Sequence, residues 1–220
     1  MISPLGHVRR ILLSAAPIAV AVLVFGASFG VLATVAGLPA WAAILMSAVV
    51  FAGSAQFAAI AVIAGGGGVL AAVITGALLN LRYLATGIAV APVLPGNRLA
   101  RALLGQLVVD ESYALGVSAG TRGRPHGLTV VVVGALLWVA WVTGTAVGAA
   151  LGPVIGNPTR FGLDAAFPAL FAALLMPMLR QPRAVRCALG GAVVALALAP
   201  FTPAGVPLAG AAVVGLWLAR

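Results

Sequence analysis

The sequence predicts an all-α integral membrane protein, a polytopic helical bundle of seven or eight segments of which several are short or broken. Three observations carry that expectation. Hydrophobic residues make up 63% of the 220-residue chain and charged residues 7%, whereas soluble domains carry about 25% charged residues. The apolar runs are continuous over about 15–26 residues instead of alternating with polar residues, which fits membrane helices and not the strands of a barrel. All twelve basic residues are arginines, and nearly all fall between apolar runs, the pattern that orients loops across a bilayer.

The apolar segments fall at about 11–36, 41–64, 67–94, 99–118, 127–151, 163–179, 186–199 and 206–219. In the first, Arg9 and Arg10 precede the apolar run as in a signal peptide. The run continues past the small residues at Gly26–Ser28, so an uncleaved first helix is expected. The last three segments are short and bounded by Pro177, Pro182, Pro200, Pro203 and Pro207, as half-helices or a broken pair would be. With eight crossings and the N-terminus inside, Arg9, Arg10, Arg122, Arg124, Arg180, Arg183, Arg186 and Arg220 share the cytoplasmic side. Arg98, Arg101 and Arg160 then lie outside. Both termini are thus expected to be cytoplasmic. The misplaced Arg98 and Arg101 keep open an alternative in which 99–118 does not fully span.

The chain reads as one membrane domain, 1–220, with a weak echo between halves 11–118 and 127–219. Gly26-x-x-x-Gly30 followed by Ala55–Ile60 is matched by Gly144-x-x-x-Gly148 followed by Ala169–Leu174. Many transporters are built from two such repeats with the substrate between them. In a chain rich in Gly and Ala, chance similarity is a competing explanation, and small-xxx-small pairs more often mean close helix packing than function.

The third segment carries Asn80 and Arg82 at its middle. An arginine at bilayer depth costs roughly 3 kcal/mol on insertion scales and persists when turned towards a partner or a wet cavity. In a continuous helix Gly76, Asn80, Tyr83 and Gly87 form one stripe, and Thr75, Arg82 and Thr86 a neighbouring one. Arg82 is therefore read either as lining a substrate path or as paired with a buried carboxylate. In the second segment, Gly53, Ser54 and Gln56 lie near mid-membrane. Ser54 and Gln56 point almost oppositely in an unbroken helix, so they serve different surfaces or the helix opens near Gly53. Opened helices at this depth bind carboxylates through exposed N–H groups and positive dipole ends; an interhelical hydrogen bond from Gln56 is the plainer reading.

Asp110 and Glu111 lie in the fourth segment, where Gln106, Asp110 and Tyr113 would share a face. Two adjacent acids in low dielectric call for a retained proton or a cation, so proton coupling or pairing with Arg82 is expected, unless the segment is interfacial and both are solvated. Asp164 opens the sixth segment as a helix cap or an ion-pairing group. Trp138, Trp141 and Thr145 form an inward stripe, and Trp41 and Trp217 are interface anchors.

Other chemistry finds little support. Cys187 is alone, and His7 and His126 stand isolated near segment ends, so neither a disulfide nor a metal cluster is expected. Neither histidine lies at the depth of Ser54 to act as its base, and no phosphate loop appears. No enzyme activity, cofactor, metal or nucleic-acid partner is therefore expected.

In order and spacing, Phe51–Phe57, Asn80–Tyr83, Asp110–Tyr113 and Gly162–Phe171 resemble the AzlC family, the large subunits of branched-chain amino acid exporters. The resemblance covers about residues 10–185; Tyr83 stands where many relatives carry His. It implies an inner-membrane secondary exporter of leucine, isoleucine, valine and sometimes methionine. It also implies a small hydrophobic AzlD-type partner encoded separately, with further self-association of that heterodimer open. On this reading Arg82, or the helix start at Gly53 and Ser54, holds the substrate carboxylate, with Gln56 and Asn80 nearby. Asp110 or Glu111 carries the amine or a proton. A small-solute channel and a non-transporting structural subunit are the rival classes.

Overall fold

The computed structural model describes residues 4–121, 124–155, 172, 175–176, 178–202 and 206–218. Among them stand ten α-helices and no β-strand, as the continuous apolar runs require. They are α1 (Pro4–Val35), α2 (Ala40–Val50), α3 (Gly53–Ala64), α4 (Val69–Asn80), α5 (Arg82–Val90), α6 (Arg98–Gly105), α7 (Asp110–Ser118), α8 (Gly127–Ile155), α9 (Pro182–Leu198) and α10 (Val206–Leu218). Two are long and apolar enough to cross a membrane alone, over Gly6–Val35 and Gly127–Gly152; α4 with Arg82–Val93 passes the same test as a bent pair. The start of the sixth segment, with Asp164, lies outside the described residues.

Contacts divide the chain into two compact units, Met1–Gly53 with Asn80–Ile155, and Ser54–Leu79 with Gly156–Arg220. The first is built on α1 and α8. A Cβ on Gly26, Gly30, Gly144 or Gly148 would collide with backbone of the facing helix, around Trp141, Thr145, Leu23 and Ala27 respectively. Only glycine permits that approach. Contacts advance together along both helices, from His7 beside His126 to Thr34 beside Gly152, so α1 and α8 run parallel. The two glycine pairs of the sequence echo meet face to face. Their spacing is 118 residues in both cases (144 − 26 and 148 − 30), and the contacts interchange under it: Gly26 faces Trp141 while Gly144 faces Leu23. This helix pair thus has a local two-fold relation along its own length.

The parallel pair supplies a ruler. Its near end holds His7 and His126; its far end holds Thr34 and Gly152. From the far end, α2 runs back along α8, with Ser47 beside Thr145 and Ala48 beside Trp138, and then stops. Val93 touches Gly127, and Val90, Leu94, Val108 and Val130 share one apolar cluster, so residues 93–94 lie at the near end. Thus between Gly37 and Val93 the chain makes one net passage, although two apolar segments lie there.

The fourth segment is a hairpin and not a span. After α6, residues 106–109 form a turn beside Gly134, and α7 descends past Val130 to Gly120 and Arg124. Both its ends are near ends, which settles the alternative left open above. Arg98 and Arg101 therefore share the end of Arg9, Arg10 and Arg124, correcting the expectation that they lie opposite. The break also separates Gln106 from Asp110 and Tyr113, so these do not share one helical face. Likewise the bend at Leu81 interrupts the stripes expected across Asn80 and Arg82.

In the second unit α3 and α4 pack where Gly76 meets Ala55. Hairpin α9/α10 closes over Gly190, Gly191 and Gly210, which receive Leu218, Ala211 and Leu198.

The glycine seam sets a clear test. Gly148→Val forces α1 and α8 apart and should lower stability in detergent by about 1–3 kcal/mol, the usual cost of overpacking. Gly105→Ala, where a Cβ meets nothing within 4 Å, should not. Thermal unfolding of both variants reads the difference, and equal midpoints would remove the seam as a determinant.

Candidate functional site

The site is assembled from places where helices stop. Helix α2 ends at Phe51, whose φ of 42° puts a buried phenylalanine in the left-handed region, a conformation costly for a bulky residue and concentrated at functional positions. The terminal carbonyls of α2 have no partner within the helix and are met from outside it. Trp138 Nε1 donates to Ala48 O at 2.9 Å, and Gln106 Nε2 donates to Val49 O. Ser47 and Thr145, both fully buried, share a hydrogen bond of 2.8 Å one turn earlier, and Thr145 also donates to Trp141 O. Beyond the break, a Cβ on Gly53 would lie 3.1 Å from the Trp141 ring, which itself stacks on Phe29. The tryptophan stripe therefore caps and packs the broken helix.

The α6/α7 turn brings the acids to this level. Ser112 Oγ accepts from Val109 N at 2.9 Å and shares its proton between the Leu107 and Val109 carbonyls. Asp110 and Glu111 then occupy the first turn of α7, where negative charge complements the helix dipole. Opposite, the α4/α5 bend of 45° makes Asn80 the last residue of one helix and Arg82 the first of the next. Arg82 reaches Asp110 at 3.1 Å, donates to the Tyr83 hydroxyl at 3.0 Å and lies 4.9 Å above the Tyr83 ring centroid. The paired side chains retain 40% and 43% exposure. Beside it Asn80 Oδ1 is buried and lacks a hydrogen-bond partner.

By the α8 ruler, Gly134 and Trp138 lie roughly 10 and 16 Å from Gly127 along a helix of roughly 43 Å. The α2 terminus, the α6/α7 turn and its acids are thus set well inside the length of the long helices. Of the expected site residues, Asn80, Arg82 and Asp110 gather here, with Glu111 adjacent but exposed. Gly53 lies against Trp141. Ser54 and Gln56 belong to the second unit, where both are buried and engaged.

Ser47, Tyr83, Gln106 and Ser112 were not singled out as site residues by sequence. Tyr83, on the stripe with Asn80, and Gln106, a polar amide in an apolar run, both carried a signal, but the target of Gln106 is a carbonyl 57 positions away. The histidines expected to be isolated lie edge to face at 5.7 Å, and His126 Nδ1 accepts from Thr129 N to cap α8. No metal-holding group of three or more His, Cys, Asp or Glu occurs among the described residues.

Comparison with known proteins matches residues 17–155 to the family described as AzlC protein. The chain belongs to the AzlC family. All the residues gathered at the helix breaks fall inside the matched region. An AzlC relative from Bacillus subtilis (strain 168), the branched-chain amino acid transport protein AzlC, is 28% identical over 73% of this chain and 63% of its own length. An uncharacterized membrane protein of Archaeoglobus fulgidus is 32% identical over 94% of this chain and 91% of its own. No solved structure matches. These similarities support a transport role for this AzlC-family membrane protein.

Capping of α2 by Trp138 is testable by Trp138→Phe, which keeps the ring and removes the N–H. Leaving the Ala48 carbonyl without that donor should destabilise the protein by about 1–3 kcal/mol. Trp41→Phe, at a 68% exposed position, should be neutral by the same unfolding measurement.

Proposed function

We propose that this AzlC-family chain is the large subunit of a secondary transporter exporting branched-chain amino acids across the inner membrane, with the Arg82–Asp110 pair as the zwitterion-recognition point. The observation that carries this reading is an open ion pair at helix breaks, a recurring setting for substrate sites in transporters. An amino acid can replace the internal pair charge for charge. Its carboxylate takes the planar, bidentate guanidinium of Arg82, and its ammonium takes Asp110 and the unpartnered Asn80 Oδ1. The branched aliphatic substrate itself is supported by the Bacillus subtilis relative's name.

The arginines of the near end favour a cytoplasmic near face and a cytoplasmic N-terminus. Coupling to the proton gradient is assigned to Asp110, with Glu111 beside it, because a carboxylate freed from its arginine can take up a proton. Roles for Gly53, Ser54 and Gln56 towards the substrate rest on the opening of the helix near Gly53, and that of Asp164 in proton coupling or ion pairing on its place at the start of the sixth apolar segment.

The test is efflux from cells preloaded with isoleucine-rich dipeptides. Arg82→Ala should abolish export while the protein stays in the membrane, and Arg82→Lys should restore little. Asp110→Asn should remove the pH dependence of any residual efflux, whereas Glu111→Gln, outside the ion pair, should keep it. Export at the parent rate by Arg82→Ala would end the recognition role; unchanged pH dependence in Asp110→Asn would end the coupling role.

An AzlD-type small membrane protein is the proposed partner. Gly- and Ala-rich surfaces and short segments favour helix association, and the identity of the partner comes from the family resemblance. Expressed alone, the chain should give little efflux, and co-expression should restore it with the two proteins purifying together. Full export by the purified single chain in liposomes would defeat the partnership.

A further inference from the structure

Helix α6 is a three-sided element outside the Arg82–Asp110 pair. Leu104 turns inward against the Val90, Leu94, Val108 and Val130 cluster. On a second side Leu99 and Leu103 are 70% and 68% exposed. On the third, Arg98 and Arg101 stand exposed one turn apart. At about 100° per residue the leucine and arginine sides diverge by roughly 150°. The helix is held in place locally: Asn97 Oδ1 accepts from Ala100 N at 2.9 Å, and Arg101 Nε donates to Gly96 O at 3.1 Å. Such a division of apolar and basic sides suits a helix that rises from the bilayer edge, its leucines towards the acyl region and its first-turn arginines towards the headgroups.

The charge count leaves the arginines in need of an external partner. The whole chain has three acids against twelve arginines. Asp110 is engaged with Arg82, and among the described residues no ion pair joins Arg98 or Arg101 to a carboxylate. Arg9, Arg10 and Arg124 crowd the same near end, so the local field there is positive.

We infer that α6 is an anionic-phospholipid site, in which Arg98 and Arg101 together hold a headgroup phosphate while Leu99 and Leu103 insert beside its acyl chains. A guanidinium pair suits phosphate oxygens through charge-assisted hydrogen bonds, and the adjoining leucines select a lipid over a soluble phosphate.

The test is native mass spectrometry of the full chain released from mixed micelles containing equal phosphatidylglycerol and phosphatidylcholine. The parent should retain phosphatidylglycerol preferentially. Arg98→Gln with Arg101→Gln should reduce that preference about thirtyfold, the product expected for two basic residues at an anionic leaflet. Arg98→Lys with Arg101→Lys should keep most of it, which separates lost charge from lost fold. Arg183→Gln with Arg186→Gln removes the same charge from α9 and should leave the preference intact. An equal loss in that control, or no loss in the α6 variant, would overturn the site. So would a phosphatidylglycerol preference unaffected by Leu99→Asn with Leu103→Asn, since the leucines would then have no part in it.

Discussion

The first unit depends on the close approach of two parallel helices across glycine. In lipid there is little hydrophobic drive to bring apolar helices together, so association rests on van der Waals contact over closely fitted surfaces. Gly26, Gly30, Gly144 and Gly148 let the backbones of α1 and α8 come together where any Cβ would hold them apart. Because the seam runs from His7 and His126 to Thr34 and Gly152, it also sets the level of every element packed against it. Helix α2 can stop partway because α8 continues beside it.

Stopping a helix inside an apolar environment exposes carbonyls that cost free energy unless paired. The chain solves this with side chains from distant positions. Trp138 and Gln106 take the last carbonyls of α2, while Ser112 ties the turn before α7. Each solution holds an end near the next, and the polar residues gather as a consequence. A continuous helix through Asn80 and Arg82 would keep the two on one rigid turn; the bend at Leu81 separates the end of α4 from the start of α5. Irregular backbone at such depth is tolerated where protein or a wet cavity covers it, the arrangement a transport path needs.

Scarcity of acid is the second organising feature. With three carboxylates in the chain, an internal ion pair uses a large share of the negative charge, and its half-exposed setting keeps the interaction modest and exchangeable. A weak, accessible pair fits the proposed release of its partner to a substrate in each cycle. Among the described residues the other arginines are exposed, and no ion pair joins them to a described carboxylate.

Composition and periodicity by themselves determined that this is a helical membrane protein, because apolar content and run length depend only on which residues follow one another. The suspect polar residues were legible too, since a charge or an amide in an apolar run is conspicuous wherever it folds, and Asn80, Arg82 and Asp110 were all identifiable in that way. The opening of the helix near Gly53 was one of two sequence readings, and the structure realises it one step earlier, at Phe51 and Ala52. Tertiary structure alone decided which apolar runs cross. The segment 99–118 has the composition of a span, yet it folds back because Ser112 and the Leu107 to Gly134 contact hold a turn at its middle. That reversal returns Arg98 and Arg101 to the side of Arg9 and Arg10. The partners of Ser47, Trp138 and Gln106 were equally hidden, at separations of 98, 90 and 57 residues. Hydropathy measures the cost of leaving water, and it carries no record of which distant donor meets a broken helix's last carbonyl.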